Sequence, residues 1–284
     1  MEIKKIFFPI GGGDELRERI YGALLVNKWF GSHMSIVACQ LDPATIYNVR
    51  MTLRGGVLFD EFLRSANEEL KEEQENNVRI FKEECAKVGI EVSENQLVPN
   101  SAYLRNITGI RSEIVEKHSK YCDLVVAAVP PTGKITGTFE AAVLKSGKSC
   151  IVIPREMKKF NPENILVSVT GSAVNSRALT NSIPILKRAK RIHCITARHY
   201  LQESVEETIG RVRNYLAIHG ITAATYELVE TDGKIPGQVL IETAQDGKFD
   251  LIVTGMEEDS GFREVFLGGT STYFLKNTDI PVFM

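Results

Sequence analysis

The residues best suited to ligand chemistry in this sequence are glycines and hydroxyls that follow a short apolar strand. Leu251–Thr254 is predicted to be a buried strand, and Gly255 follows it directly. Further along, Gly268–Ser271 contains two glycines and two hydroxyl side chains at a predicted helix start. Glycine lets a backbone approach a ligand closely, and hydroxyls with free amides at a helix N-terminus suit an anion. The pattern therefore indicates either a phosphate-binding loop or a well-capped helix.

The composition excludes several other classes of function. A chain of 284 residues with 43% hydrophobic and 25% charged residues is long enough for two globular domains. Its formal net charge of −2 shows no excess of positive charge of the kind that binds nucleic acids. No apolar stretch is long enough to span a membrane. Pro9 interrupts the first apolar run, which is therefore interpreted as a strand and not a signal segment. We expect a cytoplasmic protein without nucleic-acid or membrane partners.

The cysteines and histidines predict no redox, metal or catalytic site. The five cysteines form no C-x-x-C pair, and four of them fall in or beside apolar runs, which predicts buried free thiols. The five histidines are scattered, none at metal-ligand spacing. No nucleophile lies at a recognisable spacing from a base, so no catalytic residues are predicted.

Strands alternate with helices along the whole chain, which predicts parallel sheets covered on both faces. The predicted strands are Ile3–Ile10, Ser35–Cys39, Ile90–Val98, Asp123–Val129, Cys150–Ile153, Ile165–Val169, Ile192–Thr196, Thr222–Val229, Leu251–Thr254 and Pro281–Met284. The predicted helices are Glu15–Phe30 with Asp14 as N-cap, Ala66–Val88, Ile107–Ser119, Phe139–Lys145, Val174–Ala189, Val205–His219 and Gln238–Gln245. The long connection Leu41–Ser65 contains the apolar segment Val49–Leu63, which is expected to pack on its own domain, line a pocket or meet a partner.

The pattern repeats within the chain. The run K-K-I-F-F-P-I-G-G-G corresponds to E-N-I-L-V-S-V-T-G-S, and Y-C-D-L-V-V-A-A corresponds to K-F-D-L-I-V-T-G. Both pairs occur in the same order, with an insertion in the first copy. The sequence therefore predicts two tandem five-stranded domains, residues 1–155 and 164–284. Their last strands, Cys150–Ile153 and Pro281–Met284, are predicted to be sheet edges that pair with each other and make the chain a pseudo-dimer.

The second copy resembles the universal stress protein family, and the tandem arrangement resembles its two-domain members. The resemblance is carried by I-L-V-S-V-T-G-S-A-V-N-S-R-A-L, F-D-L-I-V-T-G, G-F-R-E-V-F-L-G-G-T-S and I-P-V-F-M. The first copy matches only around its strands at Ile6 and Asp123 and looks degenerate. The resemblance implies a doubly wound, Rossmann-like α/β fold of the adenine-nucleotide-hydrolase-like superfold. It also implies a role in stress resistance through binding, since many members bind ATP at the carboxyl ends of the strands.

The family's nucleotide-binding pattern, G-x2-G-x9-G-[S/T], matches this sequence in part. Gly255 and Gly268 fall on glycine positions, whereas Glu258 replaces the second glycine and Thr170 stands where ATP-binding members have an acidic residue. In the first copy Pro130 and Pro131 remove amide donors from the corresponding loop. The resemblance thus places any nucleotide site in the second domain. The predicted cofactor-binding residues are Thr170, Gly171, Ser172, Gly255, Gly268, Gly269, Thr270 and Ser271, with ATP and Mg²⁺ as the expected ligand.

Two alternatives stay open at the level of sequence. Because Glu258 adds negative charge and Thr170 offers none, the protein is alternatively a pseudo-site scaffold or a sensor of a different small molecule. An ATP-using enzyme, or a weak ATPase, is the less favoured alternative. A homodimer in addition to the intrachain pseudo-dimer is compatible with the sequence.

Overall fold

The structure is a computed structural model that describes residues 2–11, 15–43, 45, 57–130, 135–198, 201, 204–255, 258–259, 266–267, 273 and 279–284. For residues 57–60, 258–259 and 266–267 the description is confined to the backbone.

The elements of the two halves follow one plan. The first half contains β1 (Lys5–Gly11), α1 (Leu16–Phe30), β2 (His33–Gln40), α2 (Val57–Val88), β3 (Glu91–Val92), β4 (Ser101–Thr108), α3 (Arg111–His118), β5 (Leu124–Ala128), α4 (Gly137–Glu140), a π-helical turn (Ala141–Lys145) and β6 (Cys150–Ile153). The second half contains β7 (Asn164–Ser168), α5 (Ala173–Leu186), β8 (Arg191–Thr196), α6 (Val205–Ile218), β9 (Thr225–Leu228), α7 (Pro236–Asp246), β10 (Leu251–Val253), β11 (Glu258–Asp259), β12 (Phe266–Leu267) and β13 (Val282–Phe283).

Eleven strands form one continuous sheet in the order β3-β4-β2-β1-β5-β6-β13-β10-β7-β8-β9. Neighbouring strands within each half are parallel, and the order β4-β2-β1-β5-β6 recurs as β9-β8-β7-β10-β13. Only the junction of the halves, β6 with β13, is an antiparallel pair within this sheet as the structure describes it. The predicted α/β fold of two tandem units joined as a pseudo-dimer is confirmed.

The junction is made by backbone hydrogen bonds and by apolar side chains. Val282 pairs with Val152 and Phe283 with Ile151, and the ladder closes with reciprocal bonds between Cys150 and Met284. The Cys150 N donates to Met284 O over 2.9 Å, and the Met284 N donates to Cys150 O over 2.8 Å. Phe283 is 2% exposed and belongs to the core that spans both halves. Pairing these strands leaves neither of them as an open edge.

Helices cover the sheet on both faces, as the apolar strands require. One face carries α1 and α2 of the first half and α5 and α6 of the second, which share a single core. The opposite face carries α3 and α4 in the first half and α7 in the second. On the shared face Arg188, after α5, lies 3.4 Å from the centroid of the Trp29 ring in α1. This cation–π contact joins the two halves above the sheet junction.

Three predictions about the first half are wrong. Only Glu91–Val92 of the predicted strand Ile90–Val98 enters the sheet, and Leu97 is 90% exposed. The full strand is β4, whose buried Ala102 and Leu104 alternate with side chains that face outward. Helix α2 begins at Val57, so the predicted connection Leu41–Ser65 ends in helix; Val49–Gly56 lies outside the described residues.

The third wrong prediction concerns the start of the first helix. Glu15, and not the predicted Asp14, stands at the N-cap of α1, with a left-handed φ of 63° and no side-chain cap hydrogen bond. Asp14 itself lies outside the described residues.

All five cysteine thiols are buried and unpaired, which confirms that prediction. Burial raises the pKa of Cys39, Cys85 and Cys194 to about 12 and that of Cys122 to about 11. Burial also raises the pKa of the Cys150 thiol. Within the described ranges, no helix is both long and apolar enough to cross a membrane.

Truncating the junction strand should destabilise the whole protein. We expect Phe283→Ala to lower the free energy of unfolding by about 3 kcal/mol or more, because it removes a fully buried ring from the core shared by both halves. Urea denaturation measures the change, and Tyr121→Ala, at a position that is 84% exposed, is the control. Equal effects of the two substitutions would contradict a junction that stabilises both halves.

The raised thiol pKa values predict slow alkylation in the native state. At neutral pH, below the raised values, these thiols remain protonated, and the protonated thiol is a poor nucleophile. Iodoacetamide should therefore label the native protein slowly and label all five cysteines once urea unfolds it, as mass spectrometry can count. Rapid native labelling of any one cysteine would contradict its burial.

Candidate functional site

In each half, one crevice lies where the connecting helices change from one face of the sheet to the other. In the first half it lies between the carboxyl ends of β1 and β5, and in the second between those of β7 and β10. Open α/β sheets bind their ligands outside the carboxyl ends of strands at such a switch point. Of the predicted site residues of the second domain, Thr170, Gly171, Ser172 and Gly255 lie at its crevice.

The loop Thr170–Ser172 connects β7 to α5 and satisfies its own polar groups. Gly171 has a φ of 73°, a left-handed conformation that favours glycine. The Thr170 hydroxyl donates to Ser172 Oγ over 3.1 Å, and Ser172 Oγ accepts from the Asn175 N–H at 3.3 Å as the N-cap of α5. The two predicted hydroxyls are therefore engaged with each other and with the helix.

Asn175 fixes this loop to the sheet, and sequence reasoning missed it. Its side chain is buried, with Nδ2 donating to Ser168 O over 2.8 Å. Its Oδ1 accepts from the Thr170 N–H at 3.1 Å. An amide side chain can donate and accept at once, so one residue bridges the end of β7 and the loop that follows it. The signal in the sequence was an asparagine three positions after a serine N-cap.

Gly255, at the end of β10, packs against the start of α5. A Cβ atom at this position would lie 2.5 Å from Asn175 N, 2.7 Å from Asn175 Cα and 2.7 Å from the Val174 carbonyl carbon. The end of β10 therefore packs directly against the first turn of α5. The prediction that Gly255 lies beside the Thr170–Ser172 loop is consistent with this contact, but the glycine is needed for helix packing.

The downstream half of the predicted site is not part of the described structure. Gly268, Gly269, Thr270 and Ser271 lie outside the described residues. The backbone of Glu258–Asp259 pairs antiparallel with Phe266–Leu267, so the polar loop expected here contains a short two-stranded sheet. Glu258 thus stands in a strand where the family pattern has a glycine.

A small cleft that the sequence did not predict lies beside the crevice, at the carboxyl ends of β7, β8 and β9 on the α7 face. Its volume is about 40 Å³, and its lining includes Thr170, Thr196, Thr231 and Pro236. Thr196 is 5% exposed, and its hydroxyl has no hydrogen-bond partner among the residues that the structure describes. None of the described lining residues is charged. The cleft therefore suits an uncharged polar group.

Comparisons with known proteins agree with the observed fold. The family model for the Universal stress protein family matches residues 162–284. Residues 162–284 therefore match a universal stress protein domain. The recognition of the family from sequence is confirmed, and a search of curated proteins by sequence finds no match.

Two solved structures resemble the whole chain. One is a universal stress protein from Archaeoglobus fulgidus, with a TM-score of 0.62 and 14% identity over 100% of this chain and 98% of that one. The other is a functionally unknown protein from Pseudomonas aeruginosa, with a TM-score of 0.54 and 16% identity over 99% and 92%. At these identities the likeness establishes the fold, including the tandem arrangement of two α/β units.

The contact at Gly255 yields a test of what the glycine does in the universal stress protein domain. We expect Gly255→Ala to destabilise the protein by about 2 kcal/mol, because the added methyl group must displace the first turn of α5. The control is Gly210→Ala in α6, where an added Cβ meets no described atom within 4 Å and should stabilise the helix by about 0.5–1 kcal/mol.

Urea denaturation of both variants supplies the comparison. If Gly255→Ala were as stable as the wild type, the close packing of β10 on α5 would be wrong.

Proposed function

We propose that this universal stress protein is a non-catalytic stress-response protein that binds an adenine nucleoside or nucleotide such as ATP in its second domain. The ligand's base would enter the cleft at the carboxyl ends of β7, β8 and β9. The observation that carries the proposal is Thr196, whose buried hydroxyl has no partner within the described part of the chain. Leaving such a group unsatisfied costs about 1–3 kcal/mol, which a ligand hydrogen bond would recover.

A purine edge fits the chemistry of this cleft. A threonine hydroxyl both donates and accepts, and a base edge offers an amino group beside a ring nitrogen. The uncharged lining matches a neutral ring, with Val239 and Leu240 supplying apolar contact. A volume of about 40 Å³ holds roughly three water molecules, so the base must widen the cleft or enter by one edge. The sugar and any phosphates would then lie outside it.

The described residues offer little to a polyphosphate. The Ser172 hydroxyl caps α5, the Thr170 N–H donates to Asn175, and neither Thr170 nor Ser172 carries a charge. Glu258 adds a carboxylate at a glycine position of the family pattern. These features favour a second candidate, a sensor of an uncharged small molecule, in which affinity does not depend on phosphates or Mg²⁺.

Catalysis finds no support in the cleft. General acid–base chemistry needs a titratable side chain within reach of the reacting atoms, and the described lining has none. No group of three or more His, Cys, Asp or Glu residues in the described ranges is arranged to hold a metal ion. An ATP-using activity would have to rely on other residues.

We propose that the protein is cytoplasmic. We also propose domain boundaries at residues 1–155 and 164–284. Five buried thiols, none of them paired, are typical of proteins from a reducing compartment. The linker between the proposed domains follows β6 and carries Met157 and Phe160 into the shared core. The two domains are therefore expected to act as one rigid body, within which the second binds the ligand.

Removing the Thr196 hydroxyl tests the proposal. We expect Thr196→Val to weaken binding of ATP–Mg²⁺ and of adenosine by about tenfold in isothermal titration, the loss of roughly one hydrogen bond. Folding should be unimpaired, because valine has the same shape and the hydroxyl has no described partner to lose. The control is Thr225→Val at the amino end of β9, where the hydroxyl bonds to His193 over 2.7 Å.

The two ligands separate the candidate functions. Binding of ATP–Mg²⁺ and adenosine with similar affinity supports recognition of the base alone, as the uncharged cleft requires. Binding of neither at millimolar concentration overturns the nucleotide proposal and leaves the sensor of a different molecule. Equal binding by wild type and Thr196→Val would exclude this cleft as the site.

A further inference from the structure

A cavity of about 160 Å³ lies where the two halves of the chain meet. Residues just before β5 and β6 line it from the first half, and residues of α5 and β13 line it from the second. It therefore lies at the amino ends of the first-half strands, away from both switch-point crevices. Its exposed lining residues are Gly147 and Asn181, so it opens to solvent beside them. Ligand sites occur preferentially at such interfaces between domains.

Much of the lining of this junction cavity is apolar. Phe30 packs edge to face on Trp29, with ring centroids 4.7 Å apart, and the Arg188 guanidinium of the second half lies over that Trp29 ring. The contacts that join the halves therefore also hold one side of the cavity in place. The apolar lining includes Ile3, Phe30, Leu124, Pro184, Ile185 and Phe283. A ligand with an apolar body would remove part of this surface from water.

The lining also contains one cation and one anion, Lys148 and Asp123. Asp123 Oδ2 accepts from the Lys4 and Lys5 N–H groups, each over 2.9 Å, so the start of β1 holds this carboxylate in place. With the residues that the structure describes, neither the Lys148 ammonium nor Asp123 Oδ1 makes a hydrogen bond or an ion pair. Opposite charges that border one cavity without pairing are complementary to a ligand that carries both charges.

The Cys122 thiol, which also lines the cavity, is influenced by both charges. Burial raises the pKa of this thiol to about 11, while the charge of Lys148 acts to lower it and that of Asp123 acts to raise it. Both charges therefore act at the wall of the cavity. Uncharged polar groups accompany them, since Asn181 Nδ2 of the second half donates to Ser149 Oγ of the first over 2.9 Å.

We propose that the junction cavity binds a small zwitterion with an apolar side chain, an apolar α-amino acid, whose carboxylate meets Lys148 and whose ammonium group meets Asp123. A volume of about 160 Å³ holds roughly a dozen water molecules, which is room for an amino acid of the size of leucine. The apolar side chain of the amino acid packs on the apolar lining, so the ligand contacts both halves. The site is independent of the proposed nucleoside cleft, which lies within the second domain and has no charged lining.

Isothermal titration of the intact chain with L-leucine tests the proposal, beside two ligands that each lack one charge. 4-Methylpentanoate has no ammonium group and isopentylamine has no carboxylate, so each should bind about tenfold or more weakly than leucine. Lys148→Gln should weaken leucine binding to a similar extent, and Lys148→Arg should retain most of it because the charge remains. The control is Lys71→Gln, which removes the same charge from a side chain of α2 that is 77% exposed.

Thermal melting without ligand shows whether each variant folds. Asp123→Asn, which keeps an oxygen for the two amides at the start of β1, repeats the test at the other charge. Leucine that binds the wild type and Lys71→Gln alike, but binds Lys148→Gln and Asp123→Asn weakly, supports the site. No binding of leucine to the wild type at millimolar concentration, equal binding by either folded variant, or equal affinity for a single-charge ligand overturns it. Thr196→Val should bind leucine normally, so this site and the nucleoside cleft can fail separately.

Discussion

The hydrogen bonds between β6 and β13 are the interaction on which the rest of the molecule depends. Each half contains a parallel sheet, and the last strand of each sheet would by itself present unpaired N–H and C=O groups to water. The reciprocal bonds between Cys150 and Met284 turn those two edges into the centre of an eleven-stranded sheet. Because the pair is antiparallel, the halves are related by an approximate two-fold axis, and their helices α1 and α5 meet on one face. The contact of Arg188 with Trp29 and the burial of Phe283 follow from that placement.

The same symmetry gives the chain two switch-point crevices, and the residues that line them differ. In the second domain, β10 packs through Gly255 onto the first turn of α5, and Asn175 uses its amide to hold the loop after β7. A separate, uncharged cleft lies beside that crevice, on the neighbouring strands. In the first domain the corresponding space is a cavity of about 100 Å³ whose lining residues include Arg19 and Arg111. The carboxyl edge of the sheet thus carries an uncharged cleft in the second half and an arginine-lined cavity in the first, at positions that are not equivalent.

The sequence predicted the architecture well because the signals that determine it are periodic and repeated. Apolar strand runs, helical spacing and the internal duplication were enough to predict the order of most elements and the pairing of the two last strands. Prediction failed where a signal was local: β4 was missed because Ala102 and Leu104 alternate with polar neighbours over a short run. The site was predicted only in part. Thr170, Gly171, Ser172 and Gly255 do come together, but the roles of Asn175 and Gly255 depend on contacts between elements, which residue spacing does not show.

The distinction between a ligand-binding glycine and a packing glycine has a general physical basis. Both uses need a position without a Cβ atom, so a sequence pattern records them identically. What separates them is the atom that occupies the space: at Gly255 it is the backbone of α5, and at Gly11 no described atom lies within 4 Å. A polar group that remains unsatisfied is the complementary sign, since a native fold seldom leaves one buried without reason. Among the described residues, the Thr196 hydroxyl and the Arg111 Nε make no hydrogen bond, and each belongs to a residue that lines an open space. An unpaired polar group beside open space is therefore a physical reason to look for a ligand there, and glycine spacing alone does not supply one.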